Sequence, residues 1–203
     1  MATFMKTVSG VFHPLLLSTY MTTLLFLLSP QLIGSISVDR LPTLIAAIFL
    51  TTFLLPAFSI GFMKLTSRVS NFELTQREER ILPFISISLF YLVTSYMFIS
   101  QFRIAPTFMV ILLTVTSLIF TLLLITFWFK ISIHGAANWA TIGILTQLFF
   151  KEPVWFYPLI IGILSAGLVS TSRLYLGYHT PKEIWIGSIY GYAYSFLALL
   201  IFD

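Results

Sequence analysis

The chain has 203 residues, of which 58% are hydrophobic and only 9% are Asp, Glu, Lys or Arg, with a net charge of +4. That composition belongs to membrane proteins rather than soluble enzymes, and the lack of cysteine excludes disulfides and thiolate metal sites. The positive balance has no soluble basic face to sit on, which excludes nucleic acid as a partner and fits contact with anionic headgroups of a lipid bilayer.

Apolar stretches follow one another at about 11–35, 41–63, 82–102, 106–129, 133–149, 155–171 and 184–202. Each is close to the roughly 20 residues needed to cross a hydrocarbon layer of about 30 Å. Lipid leaves no partner for unpaired backbone groups, so each is expected to be helical. The chain therefore reads as an all-α, multi-pass integral membrane bundle of about six or seven transmembrane helices, in one domain over 1–203. The break at Pro30–Gly34 and the short third-to-fourth connection keep the count of six open. Lys6 ahead of the run Val11 to Leu28 has the look of a signal peptide. The run is too long for one and lacks a small-x-small cleavage site, so it is expected to be the first transmembrane helix.

The connectors carry the charge. Residues 64–80 hold Lys64, Arg68, Glu73, Arg77, Glu78, Glu79 and Arg80, which predicts an amphipathic surface helix or loop. Trp128, Phe129, Trp155, Phe156 and Tyr157 are expected in the interfacial aromatic belts. Two apolar stretches separate Arg80 from Ser132, and two more separate Ser132 from Ser172. An even number of crossings returns the chain to the same side. Three polar islands can thus meet at one face: Lys130 to His134, Ser172-Arg173, and His179 to Glu183.

These residue types suit phosphoryl transfer. An imidazole can attack phosphorus and hold it covalently when a carboxylate fixes its tautomer, and a second histidine can protonate the leaving oxygen. Arginine, lysine, serine and helix N-terminal amides can hold the phosphate oxygens. Ser172-Arg173-Leu174-Tyr175-Leu176-Gly177-Tyr178-His179-Thr180-Pro181-Lys182-Glu183 resembles the third signature of the type 2 phosphatidic acid phosphatase superfamily, S-R-x5-H-x3-D. Ile131-Ser132-Ile133-His134 resembles its second, P-S-G-H. Arg80-Ile81-Leu82-Pro83 resembles the end of its first, K-x6-R-P, although Glu73 stands where that signature has lysine. The resemblance covers roughly residues 70–190.

The resemblance implies a metal-independent lipid phosphate phosphatase with no cofactor, acting on a phosphorylated membrane lipid. It implies His179 as nucleophile, His134 as general acid and Glu183 as the carboxylate that holds the His179 ring. Arg173, Ser132 and Arg80 would bind the phosphate beside Ser172, with Arg77 or Lys130 supplying the missing positive charge. Four positions depart from the signatures: Ile131 for Pro, Ile133 for Gly, Ile81 for Pro and Glu183 for Asp. The departures keep an alternative open, a catalytically inactive relative or small transporter that binds anionic lipid.

Other readings of these residues stand beside the chemical one. Thr180-Pro181-Lys182-Glu183 is also a capping box at a helix start. His13 lacks a neighbouring motif and reads as structural. Gly187-x-x-x-Gly191 reads as a close helix-packing face, which would also allow a helix-packing homodimer. No H-E-x-x-H motif and no P-loop occur, so no metal site is expected. Eight cations, Lys6, Lys64, Arg68, Arg77, Arg80, Lys130, Arg173 and Lys182, fall on the site face, against Arg40, Arg103 and Lys151 on the other. The positive-inside rule would turn the site to the cytoplasm. Setting aside Arg80, Lys130 and Arg173 as phosphate ligands leaves five against three, which decides nothing. The family's usual placement in the cell membrane implies an extracytoplasmic site.

Overall fold

The computed structural model describes residues 1–34, 38–74, 76–102 and 104–203. Arg103, counted above as a cation of the opposite face, and Ser35, at the end of the first apolar stretch, lie outside the described residues. The helices in chain order are α1 (Ala2–Val11), α2 (Pro14–Leu28), α3 (Leu41–Phe49), α4 (Leu55–Leu65), α5 (Ile81–Gln101), α6 (Pro106–Thr126), α7 (Ile133–Lys151), α8 (Phe156–Tyr175) and α9 (Pro181–Phe202). Among the described residues no strand occurs, only an isolated bridge between Gly34 and Ile104.

The protein is an all-helical membrane bundle. Among the described residues five helical segments, Pro42–Leu65, Glu78–Gln101, Pro106–Thr126, Pro153–Tyr175 and Pro181–Phe202, are long and apolar enough to cross a membrane. A sixth is formed if α1 and α2, bent by 54°, count as one span. The first span therefore differs in shape from the expectation: its helix starts at Ala2, breaks at Phe12-His13 and resumes at Pro14. Pro14 has no N–H to give, and its ring disfavours helical backbone at the residue before it, so the break falls where the sequence puts the proline.

α7 has the length of a span but lies outside this set. It carries Gly135, Asn138, Gly143 and Gln147, all buried. A helix wrapped by other helices need not be apolar all round, and small or polar side chains are what such contacts use.

The chain divides into two compact units, one of residues 1–17 and 131–203 and one of residues 18–130. In the second unit α3 and α4 form one continuous helix through a π-helical turn, Leu50–Leu54. Pro56 cannot donate to the carbonyl four residues earlier, and the helix widens there, with Leu55 N–H donating to Leu50 O. Hydroxyl pairs join neighbouring helices within this unit: Ser59 to Ser86 at 2.7 Å and Ser95 to Thr116 at 2.7 Å. Of the two forms expected for the charged connector after Leu65, its described residues take the loop, a series of turns closed by a short 3-10 turn, Glu78–Arg80. Ser67 and Leu74 there adopt left-handed backbone, φ 57° and 48°.

In the first unit α7 and α9 run parallel and side by side. Ser132 N–H donates to Glu183 O at 3.2 Å at their start. Ser195 Oγ then donates to Ala140 O at 2.7 Å, and Gln147 Nε2 to Phe196 O at 3.1 Å further along. The approach depends on Gly187 and Gly191. A Cβ at Gly187 would lie 2.6 Å from Ser132 O, and one at Gly191 would run into the Ala136 carbonyl. The glycine pair read from the sequence as a packing face is thus filled by α7 of the same chain. α8 returns between the ends of the pair, with Gly162 against Leu145 and Ile142. Trp155, expected in an aromatic belt, is fully buried in this unit, because the turn Pro153–Trp155 folds it beneath α7 and α8.

Candidate functional site

Six of the nine sequence-assigned residues fall in the first unit, at the end where α7 and α9 begin and α8 stops. Ser132 is the N-cap of α7, its Oγ accepting from Gly135 N–H at 3.2 Å, and it is fully buried. His134 follows in the first turn. Ile133 is the first helical residue, and among described non-glycine residues only Ser67 and Leu74 have positive φ. The glycine that the signature has at this position is therefore replaced without backbone strain.

The end of α8 explains how Arg173 and His179 are held. Leu176 caps the helix and Gly177 turns left-handed at φ 69°. Tyr178 N–H then donates to Arg173 O at 3.2 Å and Gly177 N–H to Leu174 O at 3.0 Å. This is the Schellman arrangement, and only glycine takes that φ without cost. The reversal lays the Tyr178 ring on the Arg173 guanidinium, 4.4 Å from its centroid. It also delivers His179 to the start of α9.

His179 Nδ1 lies 2.7 Å from Glu183 Oε2, one helical turn on. The carboxylate can only accept, so a neutral His179 carries its proton on Nδ1 and has its lone pair on Nε2. The same Oε2 accepts from Thr180 N–H at 3.3 Å, while Thr180 Oγ1 accepts from Glu183 N–H at 3.4 Å. The capping box and the imidazole contact coexist in one side chain. Glutamate at the position of the family's aspartate does reach the ring. The His179 side chain is only 2% exposed, and Arg173 is equally enclosed.

The first helix supplies groups that the sequence did not reveal. Arg173 Nη1 donates to Ser9 Oγ at 3.0 Å, and Ser172 Oγ donates to Met5 O at 2.7 Å. Asn138 Nδ2, on α7, donates to Phe12 O at 3.2 Å and to His134 O at 3.0 Å. His13 sits with its ring edge-on to that of His134, centroids 5.2 Å apart. The available signals were Asn138 four residues after His134 and a histidine just before the proline that breaks the first span.

Family models, curated proteins and solved structures yield no match to this chain.

Arg77, Arg80 and Lys130 belong to the second unit. Arg80 is 2% exposed, and its Nε donates to Leu74 O at 2.7 Å. Arg77 pairs with Glu78 at 3.2 Å, and its Nη1 donates to Trp128 O at 3.2 Å, two residues before Lys130. These cations thus gather at one end of their own unit.

Proposed function

We propose that the protein is a membrane lipid phosphate phosphatase of the type that the signatures resemble, working through a phosphohistidine and without a metal ion. The observation that carries this reading is the His179–Glu183 hydrogen bond, a buried imidazole with its Nδ1 held by a carboxylate. The buried Arg173 guanidinium on the preceding helix and the N-terminus of α7 supply positive potential for an anion.

In the first step the Nε2 lone pair of His179 forms a bond to phosphorus, and the bond from phosphorus to the lipid oxygen breaks. Protonated His134 gives its proton to that oxygen, and the lipid alcohol leaves. In the second step neutral His134 takes a proton from water, whose oxygen displaces Nε2 from phosphorus. Inorganic phosphate is released and both rings return to their starting states. The site's position at the ends of membrane-length helices fits a substrate with its tail in the lipid and its phosphate at the boundary. The resemblance would turn that boundary to the extracytoplasmic side of the cell membrane.

Purified protein in detergent is expected to release inorganic phosphate from lipid phosphates with a chelator present. Glu183→Gln should lower kcat by about 10²- to 10⁴-fold, because an amide lets His179 move its proton to Nε2. Thermal unfolding should shift little, since Thr180 Oγ1 still accepts from the backbone N–H of residue 183. Wild-type protein that is inert across a broad panel of lipid phosphates, yet binds them, would make it a non-enzymatic lipid-binding relative instead.

A further inference from the structure

Resting on the phosphatase reading of the same site, we infer that His13 is a third histidine of the site: a positioning residue whose ring holds His134 in the orientation it needs to pass its proton. The sequence offers no company for His13, but the fold does. α1 is tied to the site by side chains from far along the chain. Arg173 reaches Ser9, Ser172 reaches Met5 O and Asn138 reaches Phe12 O, all in the two turns before His13. Ser9 is 5% exposed, so this anchor is buried.

The proline break then sets the ring. Leu15 N–H donates to His13 Nδ1 at 3.3 Å, which gives the first turn of α2 a cap that its sequence otherwise lacks. An N–H facing Nδ1 requires a lone pair there, so neutral His13 carries its proton on Nε2. With one nitrogen committed, the ring stands at 90° to His134, centroids 5.2 Å apart. Edge-to-face is the arrangement that aromatic quadrupoles favour. His134 is also held through its own backbone, because Asn138 Nδ2 donates to His134 O and to Phe12 O together. The same side chain thus locks the two histidine-bearing segments in register. General acids act only within hydrogen-bond reach of the leaving atom, so a ring free to swing would lose turnover rather than affinity.

Two substitutions separate the ring from the cap. His13→Phe keeps a flat ring against His134 and loses the acceptor for Leu15. His13→Asn keeps a side-chain acceptor suited to a helix start and loses the ring. Each full-length protein is assayed for kcat and KM on a lipid phosphate. The rate at which diethyl pyrocarbonate modifies His134 is followed separately by peptide mass spectrometry. His13→Asn is expected to lower kcat at least about tenfold with KM within about twofold, and to speed modification of His134. His13→Phe should stay within about threefold of wild type in both readouts. The reverse pattern, or loss of turnover in both variants, overturns the inference and leaves His13 a helix cap. If wild-type protein releases no phosphate, the phosphatase reading falls by itself. The modification rates then decide the ring contact, and equal rates in wild type and His13→Asn overturn it.

Discussion

His179→Ala is expected to cut phosphate release from a lipid phosphate by at least about a thousandfold while the helices stay folded. His179 combines a nitrogen lone pair with a carboxylate that holds the opposite ring nitrogen. The substitution leaves the α9 start intact. Thr180 Oγ1 still accepts from Glu183 N–H, and Glu183 still accepts from Thr180 N–H. The stability cost is then confined to a small cavity beside Arg173 and a carboxylate that has lost one donor. Single-turnover phosphate release, paired with a thermal melt, separates the two effects. Activity within tenfold of wild type would break the mechanism, whereas a collapsed melt would make the experiment one on folding.

The second large effect belongs to the scaffold. Gly191→Ala is expected to destabilise the protein by about 2–3 kcal/mol or more, because the new methyl meets the Ala136 backbone rather than a side chain that can turn away. The adjoining contacts at Gly187 and Gly143 leave no room to slide, since each already lies against backbone or a Ser195 hydroxyl of the facing helices. Separating α7 from α9 would also pull Ser132 from Glu183, so turnover should fall with stability. Gly167→Ala on α8 is the control, with nothing within 4 Å of its Cβ. There the better helix propensity of alanine should raise stability by about 0.5–1 kcal/mol. Thermal unfolding in detergent should move in opposite directions for the two variants. Equal shifts would mean that α7 and α9 do not pack as described.

Much of this was legible in the sequence, for physical reasons that vary by element. Helix positions from Ile81 onward follow directly from apolar length, bounded by Pro106, Ser132 and the Thr180 box, each a strong local signal. The Gly187–Gly191 spacing announced a close helix contact, and α7 is the helix that fills it. The 64–80 connector read equally as an amphipathic helix or a loop, and the left-handed Ser67 and Leu74 make it the loop. Trp155 sits next to Phe156 and Tyr157, which are exposed, and composition could not say that the 3-10 turn carries only the tryptophan inward. At the site, Ser172-Arg173 and His179 to Glu183 are local motifs, and the contact of Glu183 with His179 followed from their resemblance to the third signature. Ser9, His13 and the Met5 carbonyl come from the other end of the chain, and only the return of α1 onto α8 brings them in.

A structure of the detergent-solubilised protein with orthovanadate, which mimics phosphorus in transfer, decides whether His179 is the nucleophile. Vanadium is expected bonded to Nε2 of His179, with its oxygens held by Arg173 and the N-terminus of α7. Vanadate bonded to another side chain, or a His179 pocket left without it at a concentration that stops turnover, would rule out His179 as the nucleophile.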